Sequence, residues 1–374
     1  MVKTLFVFGT RPEAIKMCPP ILHQRSRSRE FQVKVAVTGQ HREMLDQVLK
    51  VFDVVPDYDL NLMTPGQTLA SSSSRILAAL ESVYSDCRPD IVYVQGDTTT
   101  TMCGALAAFY ARVPVGHIEA GLRTGDMSQP FPEEMNRVVT GRLAELHFAA
   151  TESARNNLMR EGVMQDTVHV TGNTGIDAVL QVRERLCSGD LPRGDWRFLS
   201  PAKKLIVVTA HRRESFGSGF ENICRALRVI ARRGDAEIVY PVHRNPNVSG
   251  PVRATLSGVP GIHLIDPLEY VPFVDLMSRA FLLLTDSGGV QEEGPSLGKP
   301  VIVMRDKTER PEAVEAGTVR LAGADEARIV NEVSRLLNDS GAREEMSRIH
   351  NPYGDGHASE RIADATLSRF RLGA

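Results

Sequence analysis

Acidic side chains recur where apolar runs stop. Asp97 follows DIVYVQG, Glu119 follows VPVGHI, and Glu133 lies in FPEEMNR behind a proline. Carboxylates gathered in one cleft can take a proton from a substrate and return it, provided their surroundings separate their pKa values. Asp97 precedes TTTT and reads either as such a group or as a helix cap. Glu119 precedes Ala-Gly-Leu and has no helix to cap. Cations and imidazoles occupy equivalent places: Arg11 and Lys16 in GTRPEAIK, His211 and Arg212 in AHRRES, His243 and Arg244 in PVHRNPN, Arg310 in TERPE. Two cations such as Arg11 and Lys16 suit a diphosphate. His211 taken alone also fits an ordinary loop histidine, and His41, His117, His147 and His169 read as structural.

A different feature follows the run LLLTD. Ser287-Gly288-Gly289 lets the backbone turn tightly and approach a ligand, and a helix opens directly after it. Free N–H groups and the helix dipole favour an anion there, above all a phosphate. The plain alternative is a strand-to-helix turn with no guest. Glu292 and Glu293 cannot hold phosphate, but a carboxylate one or two turns into the helix can accept hydrogen bonds from ribose hydroxyls. The pattern suggests a nucleoside diphosphate carrying a sugar. GxxxxGK[ST] is absent, and no clear GxGxxG is present.

These residues need a scaffold of strands that end together. TLFVFGT (4–10), VKVAVTG (33–39), DIVYVQGD (90–97), VPVGHIEAG (113–121) and LHFAA (146–150) read as strands separated by amphipathic stretches such as REMLDQVLKVF and TMCGALAAFYAR. The pattern lapses in CSGDLPRGDWRFLSPAKK (187–204), then resumes with KLIVVTAH, AEIVYPVH, IHLIDP, AFLLLTD and KPVIVM. Such alternation predicts parallel sheets flanked by helices. The expected fold class is α/β, with two Rossmann-like doubly wound domains, residues 1–175 and 176–354. Ligands of such sheets bind at the carboxyl ends of the strands, so a central cleft between the domains is the expected site.

The bulk composition agrees. A chain of 374 residues suits two domains. A net charge of -2 provides no basic field for nucleic acid, and the arginine clusters lack interleaved aromatic residues. Cys18, Cys87, Cys103, Cys187 and Cys224 are scattered without a CxxC pair, which argues against a disulfide framework or a zinc site and fits a reducing cytoplasm. The opening MVKTLFVFGTRPE has too short an apolar run for a signal peptide, and no stretch approaches the roughly 20 apolar residues of a membrane span. A cytoplasmic protein is expected, with no metal, no cofactor, and neither nucleic acid nor membrane as partner.

Twelve motifs in order, GTRPEAIKM, QHREMLDQVL, GDTTTT, HIEAGLRTGD, PEEMNR, TGNTGID, HRRESFG, PVHRNPN, TDSGGVQEE, PSLGKPV, TERPEAV and HNPYGDG, give the chain a close resemblance to the bacterial UDP-N-acetylglucosamine 2-epimerases of the non-hydrolysing type. The resemblance covers nearly the whole length. It implies the two-domain fold of one large class of glycosyltransferases (GT-B-like), with a C-terminal helix near 355–374 packing back on the first domain. It implies reversible conversion of UDP-GlcNAc to UDP-ManNAc without a nicotinamide, through elimination of UDP to a 2-acetamidoglucal, supplying ManNAc units for surface polysaccharides. Acid-base roles fall on Asp97, Glu119 and Glu133, and a place near the diphosphate on His211. Phe273 matches a uracil-side contact, Leu268 a backbone contact nearby, Glu293 the ribose ligand and Arg310 a phosphate-side arginine. A second UDP-GlcNAc acting as activator would meet Gln40, His41, Glu43 and Arg212; some relatives carry an arginine where this chain has Gly66. A homodimer is implied as well. The alternatives are a hydrolysing relative that releases ManNAc and UDP, and a retaining glycosyltransferase of the same fold.

Overall fold

Strands buried on both faces read as continuous apolar runs, and the central strands here have that character. IVYVQ is buried at every position. The computed structural model describes residues 1–39, 42–64, 66–212, 216–308, 310–348 and 350–371. The chain forms two units, Met1–Ala178 with Tyr353–Ala374, and Val179–Pro352.

The first unit contains β1 (Val2–Phe8), β2 (Phe31–Val37), β3 (Tyr58–Asp59), β4 (Ile91–Gln95), β5 (Val115–Ala120), β6 (Leu146–Ala149) and β7 (Val168–Val170). They pair in parallel in the order β3-β2-β1-β4-β5-β6-β7. The helices are α1 (Arg11–Ser26), α2 (Arg42–Val51), α3 (Leu69–Cys87), α4 (Thr99–Tyr110), α5 (Glu133–Leu143), α6 (Glu152–Arg160) and α7 (Thr174–Ser188), the last of which contains the boundary between the units. The second unit contains β8 (Lys204–Thr209), β9 (Ala236–Pro241), β10 (Ile262–Ile265), β11 (Leu282–Thr285), β12 (Val301–Val303) and β13 (Val319–Leu321), parallel in the order β10-β9-β8-β11-β12-β13. Its helices are α8 (Ser218–Ala231), α9 (Pro246–Leu256), α10 (Tyr270–Arg279), α11 (Gly288–Ser296), α12 (Pro311–Glu315), α13 (Glu326–Asn338) and α14 (Ser340–Arg348). The chain then returns to the first unit as α15 (Ala358–Arg371). The expected pair of doubly wound α/β domains is therefore present.

Side-chain spacing explains the packing. On α8, Phe220, Ile223, Cys224, Leu227 and Ile230 are fully buried, a stripe at the helical period. Each large apolar side chain so buried stabilises by about 1.5–3 kcal/mol relative to exposure. In the first unit Tyr93 packs against Phe6 at 4.6 Å and Phe148 at 6.1 Å between ring centroids. Its hydroxyl lies 2.6 Å from Thr366 Oγ1 of α15 and accepts from Gln24 Nε2 of α1 at 3.1 Å. Arg27 adds an ion pair to Asp364 at 2.6 Å, so α15 is anchored to α1 and β4 by buried polar and exposed charged contacts together. The segment between α7 and β8 is irregular, and the Asp275 carboxylate of α10 pins it by accepting from Gly194 N at 2.9 Å and Trp196 Nε1 at 2.7 Å.

Each sheet begins in its middle, grows to one side and then to the other. The reversal lies between β1 and β4 in the first unit and between β8 and β11 in the second. Loops leaving adjacent strands diverge at such a point and open a crevice at their carboxyl ends. No described helix is long and apolar enough to cross a membrane.

Candidate active site

At the first reversal point β1 leads into Thr10 and α1, and β4 into Gly96-Asp97-Thr98 and α4. β5 delivers Glu119. With the start of α5 these segments line a pocket of about 430 Å³ that contains Lys16, Gln95, Asp97, Glu119, Glu133 and Asn136. The sequence-predicted acids Asp97, Glu119 and Glu133 thus share one pocket with Lys16.

Glu119 sits where the pairing of β5 with β6 slips between Ile118 and Ala120, and its φ is 62°. A left-handed non-glycine residue costs about 1–3 kcal/mol and persists where the surroundings over-determine it. Those surroundings are specific. Lys16 Nζ forms an ion pair with Oε1, Gln95 Nε2 donates to Oε2, and Asn173 Nδ2 donates to Oε1 at 3.2 Å. His117, two residues earlier, is buried with Nε2 2.7 Å from Gly96 O, and burial pulls its pKa down to about 3. It is therefore a neutral strut between β5 and the loop after β4, in keeping with its structural reading.

Asp97 does not cap α4. Thr98 does, its hydroxyl accepting from Thr101 N at 3.1 Å, and this leaves Asp97 to the pocket. Its carboxylate meets Arg137 Nη2 at 2.7 Å, and its carbonyl accepts from Asn136 Nδ2 at 2.9 Å. Burial nevertheless lifts its pKa to about 6, against the pull of Arg137 and with the help of the Glu119 charge. Asp97 is thus poised to exchange a proton near neutrality. The motif PEEMNR places four residues of α5 at work within little more than one turn. Glu133 lines the pocket, Asn136 and Arg137 hold Asp97, and buried Glu134 accepts from Thr124 N and Gly125 N, each at 3.0 Å.

The start of α1 is already occupied. Glu13 accepts from Gly9 N at 3.0 Å, Thr10 N at 2.7 Å and Thr98 Oγ1 at 2.7 Å. The chain's own carboxylate therefore fills this amide nest. Arg11 is the first residue of α1 and is not among the residues lining the pocket. Lys16 stands with the carboxylates.

The second reversal point is built differently. β8 runs into His211 and Arg212, and β11 into Asp286, Ser287 and α11. Ser287, the N-cap of α11, makes no side-chain cap hydrogen bond. The Arg310 guanidinium lies so close to Gly288 that a Cβ there would be 2.6 Å from Cζ. Arg310 Nε donates to Glu292 Oε1 at 2.5 Å, which explains the first carboxylate of VQEE: it aims the arginine. Glu293 is half-buried and turns back, with Oε1 3.7 Å from the position of a Cβ on Gly289. Amides at a helix start, the helix dipole and an arginine together suit an anion.

Asp286, fully buried, accepts from His211 N at 2.6 Å and Arg212 N at 2.7 Å. Leu268 follows β10 and Phe273 lies early in α10, both half-buried, on the same carboxyl edge but beyond β9. Of the expected activator contacts, Glu43 is exposed on the first turn of α2, Arg212 is half-buried, and Gln40 and His41 lie outside the described residues. Gln95, Asn136, Arg137, Asn173 and Asp286 hold the predicted residues in place and were not anticipated. Their signals were a polar end to IVYVQ, the asparagine of TGNTGID, and the acid that closes LLLTD. Among the described residues no group of three or more metal-binding side chains comes together.

A family model described as UDP-N-acetylglucosamine 2-epimerase matches residues 23–367. The chain belongs to the UDP-N-acetylglucosamine 2-epimerase family. The epimerase of Escherichia coli O157:H7 is 59% identical over 369 residues, 97% of this chain and 98% of that protein. A crystal structure of the Neisseria meningitidis epimerase bound to UDP-GlcNAc is 48% identical with a TM-score of 0.90, covering 98% of this chain and 100% of that one. A glycosyltransferase from Rickettsia africae, 12% identical and matching over 99% of this chain and 97% of its own, shares the fold with a TM-score of 0.60. The resemblance carried by the motifs is borne out, and the residues described above belong to an epimerase of this family.

Proposed function

We propose that this chain interconverts UDP-GlcNAc and UDP-ManNAc, with the C2 proton moved by the carboxylates that share the first unit's pocket. The observation that supports this best is the sharing of one pocket by Asp97, Glu119, Glu133 and Lys16. The C2 proton of the sugar is weakly acidic, since no carbonyl neighbours it within the ring. Departure of UDP gives C1 oxocarbenium character and acidifies C2. A carboxylate takes the C2 proton, the C1–O bond breaks with its electron pair passing to the β-phosphate oxygen, and a C1=C2 double bond forms. The return step delivers a proton to the other face of C2 while the phosphate oxygen attacks C1.

Each need of this sequence has a candidate on the chain. Amides at the start of α11 and Arg310 suit the negative charge that grows on the leaving diphosphate. Asp97, with a pKa near 6, suits proton return, and Glu119, facing the Lys16 ammonium, suits abstraction. Glu293 would meet the ribose, and Leu268 and Phe273 the uracil end. The test is turnover in deuterated water followed by NMR. Both UDP-sugars should appear with deuterium at C2. Release of free ManNAc would overturn the proposal in favour of hydrolysis.

A further inference from the structure

We propose that Asp286 is a positioning residue that decides which ring nitrogen of His211 meets the departing diphosphate. This rests on the reading above, in which His211 faces UDP. The buried Asp286 carboxylate does two things with two oxygens. Oδ2 accepts from His211 N at 2.6 Å and Arg212 N at 2.7 Å, which fixes the loop after β8 to the end of β11. Oδ1 accepts no hydrogen bond among the described residues, yet it lies 3.3 Å from His211 Nδ1. A buried acceptor without a donor is costly, and contacts in ligand-free sites often tighten on binding. A small turn of the imidazole supplies that donor as Nδ1–H and leaves Nε2 on the far side of the ring, open to a ligand. His243 stacks on the ring at 5.6 Å between centroids and 17° between planes, which limits other rotations.

Among the described residues, the charged and titratable neighbours acting on His211 are Asp286, Arg212 and His243. Burial lowers its pKa, with Asp286 opposing, so the free ring is neutral at pH 7 and its tautomer matters. When the diphosphate arrives, Nε2 takes up a proton from solvent and its N–H donates a hydrogen bond to a phosphate oxygen, while Nδ1–H stays hydrogen-bonded to Asp286. The cation then faces the charge that grows as the C1–O bond breaks.

Ring 15N shifts of His211, assigned by their loss in His211→Gln, test this in the intact enzyme with and without UDP. The free wild type should show the Nδ1–H tautomer, and the UDP complex should be protonated at both nitrogens. In Asp286→Asn the carboxamide can turn an N–H toward Nδ1, so the ring should adopt Nε2–H. There kcat should fall about 10²-fold with KM within about threefold. A wild-type ring protonated at Nε2 alone, or an unchanged tautomer in Asp286→Asn, overturns the proposal. The wild-type spectrum decides even if the variant does not fold. A changed tautomer with unchanged kcat upholds the positioning and removes His211 from the reaction, so the two readings fail separately.

Discussion

Glu119 holds the ammonium of Lys16 from a left-handed backbone, at the one place where β5 slips against β6. The slip re-aims the carboxylate, as bulges beside active sites do. Both side chains are largely buried, 19% and 15% exposed. Removing one partner of such a pair strands the other charge, whereas removing both does not. Lys16→Met should therefore lower stability in urea by about 1–3 kcal/mol, and Lys16→Met with Glu119→Gln should recover most of it. Additive losses in the double variant would mean that the two groups do not act as a pair.

Asp97 gives a pH signature. Its folded pKa, about 6, lies above the ordinary 3.8, so the folded protein binds more protons than the unfolded chain between those values. Its contribution is fully present below pH 3.8 and is lost as pH rises through 6. Asp97→Asn lacks this loss. The stability of wild type minus that of Asp97→Asn should fall by about 2 kcal/mol from pH 4 to pH 7, measured by denaturant unfolding at each pH. A difference that rises over this range would contradict the placement of Asp97.

His117 behaves in the opposite sense. Its folded pKa of about 3 lies below the ordinary 6.5, so the buried neutral ring stabilises the fold above pH 6.5 and loses that contribution as pH falls. From pH 7 to pH 5 this loss is about 2 kcal/mol. His117→Gln, which can still donate to Gly96 O, should show a flatter acid limb of unfolding than wild type. Equal slopes would exclude His117 as a source of acid sensitivity.

Gly288 is needed for close approach. A methyl group there would meet the Arg310 guanidinium, and Arg310 is tied to buried Glu292. Gly288→Ala should weaken UDP binding at least about tenfold by calorimetry, or roughly 1.4 kcal/mol, with little change in unfolding midpoint. Unchanged UDP affinity would place the diphosphate elsewhere.

The central strands were legible because burial on both faces leaves unbroken apolar runs, as in LFVF of β1 and LLLT of β11. Strands β3, β7 and β13 were not, and each lies at a sheet edge. β7 and β13 alternate between buried, half-buried and exposed residues over only three positions, too little for a period to show. Asp97 and Glu119 were legible from their place at strand ends, and Glu133 from its place behind a proline. Their partners were not, because Gln95 and Asn173 reach Glu119 across 24 and 54 residues, distances that only the fold closes. The choice between cap and site for Asp97 turned on Thr98, whose hydroxyl takes the capping role. Asp286 was hidden for a similar reason: its neighbours His211 and Arg212 lie in the loop after β8, 75 and 74 residues away in the chain.

The most direct test of the account is solvent exchange at C2 of UDP-GlcNAc with Glu119→Gln, measured beside UDP affinity on the same preparation. The proposal predicts that deuterium incorporation falls at least about 10²-fold while the Kd for UDP stays within about threefold of wild type. Exchange at the wild-type rate would show that the pocket of the first unit does not move the proton, and the assignment of the reaction to these carboxylates would be wrong.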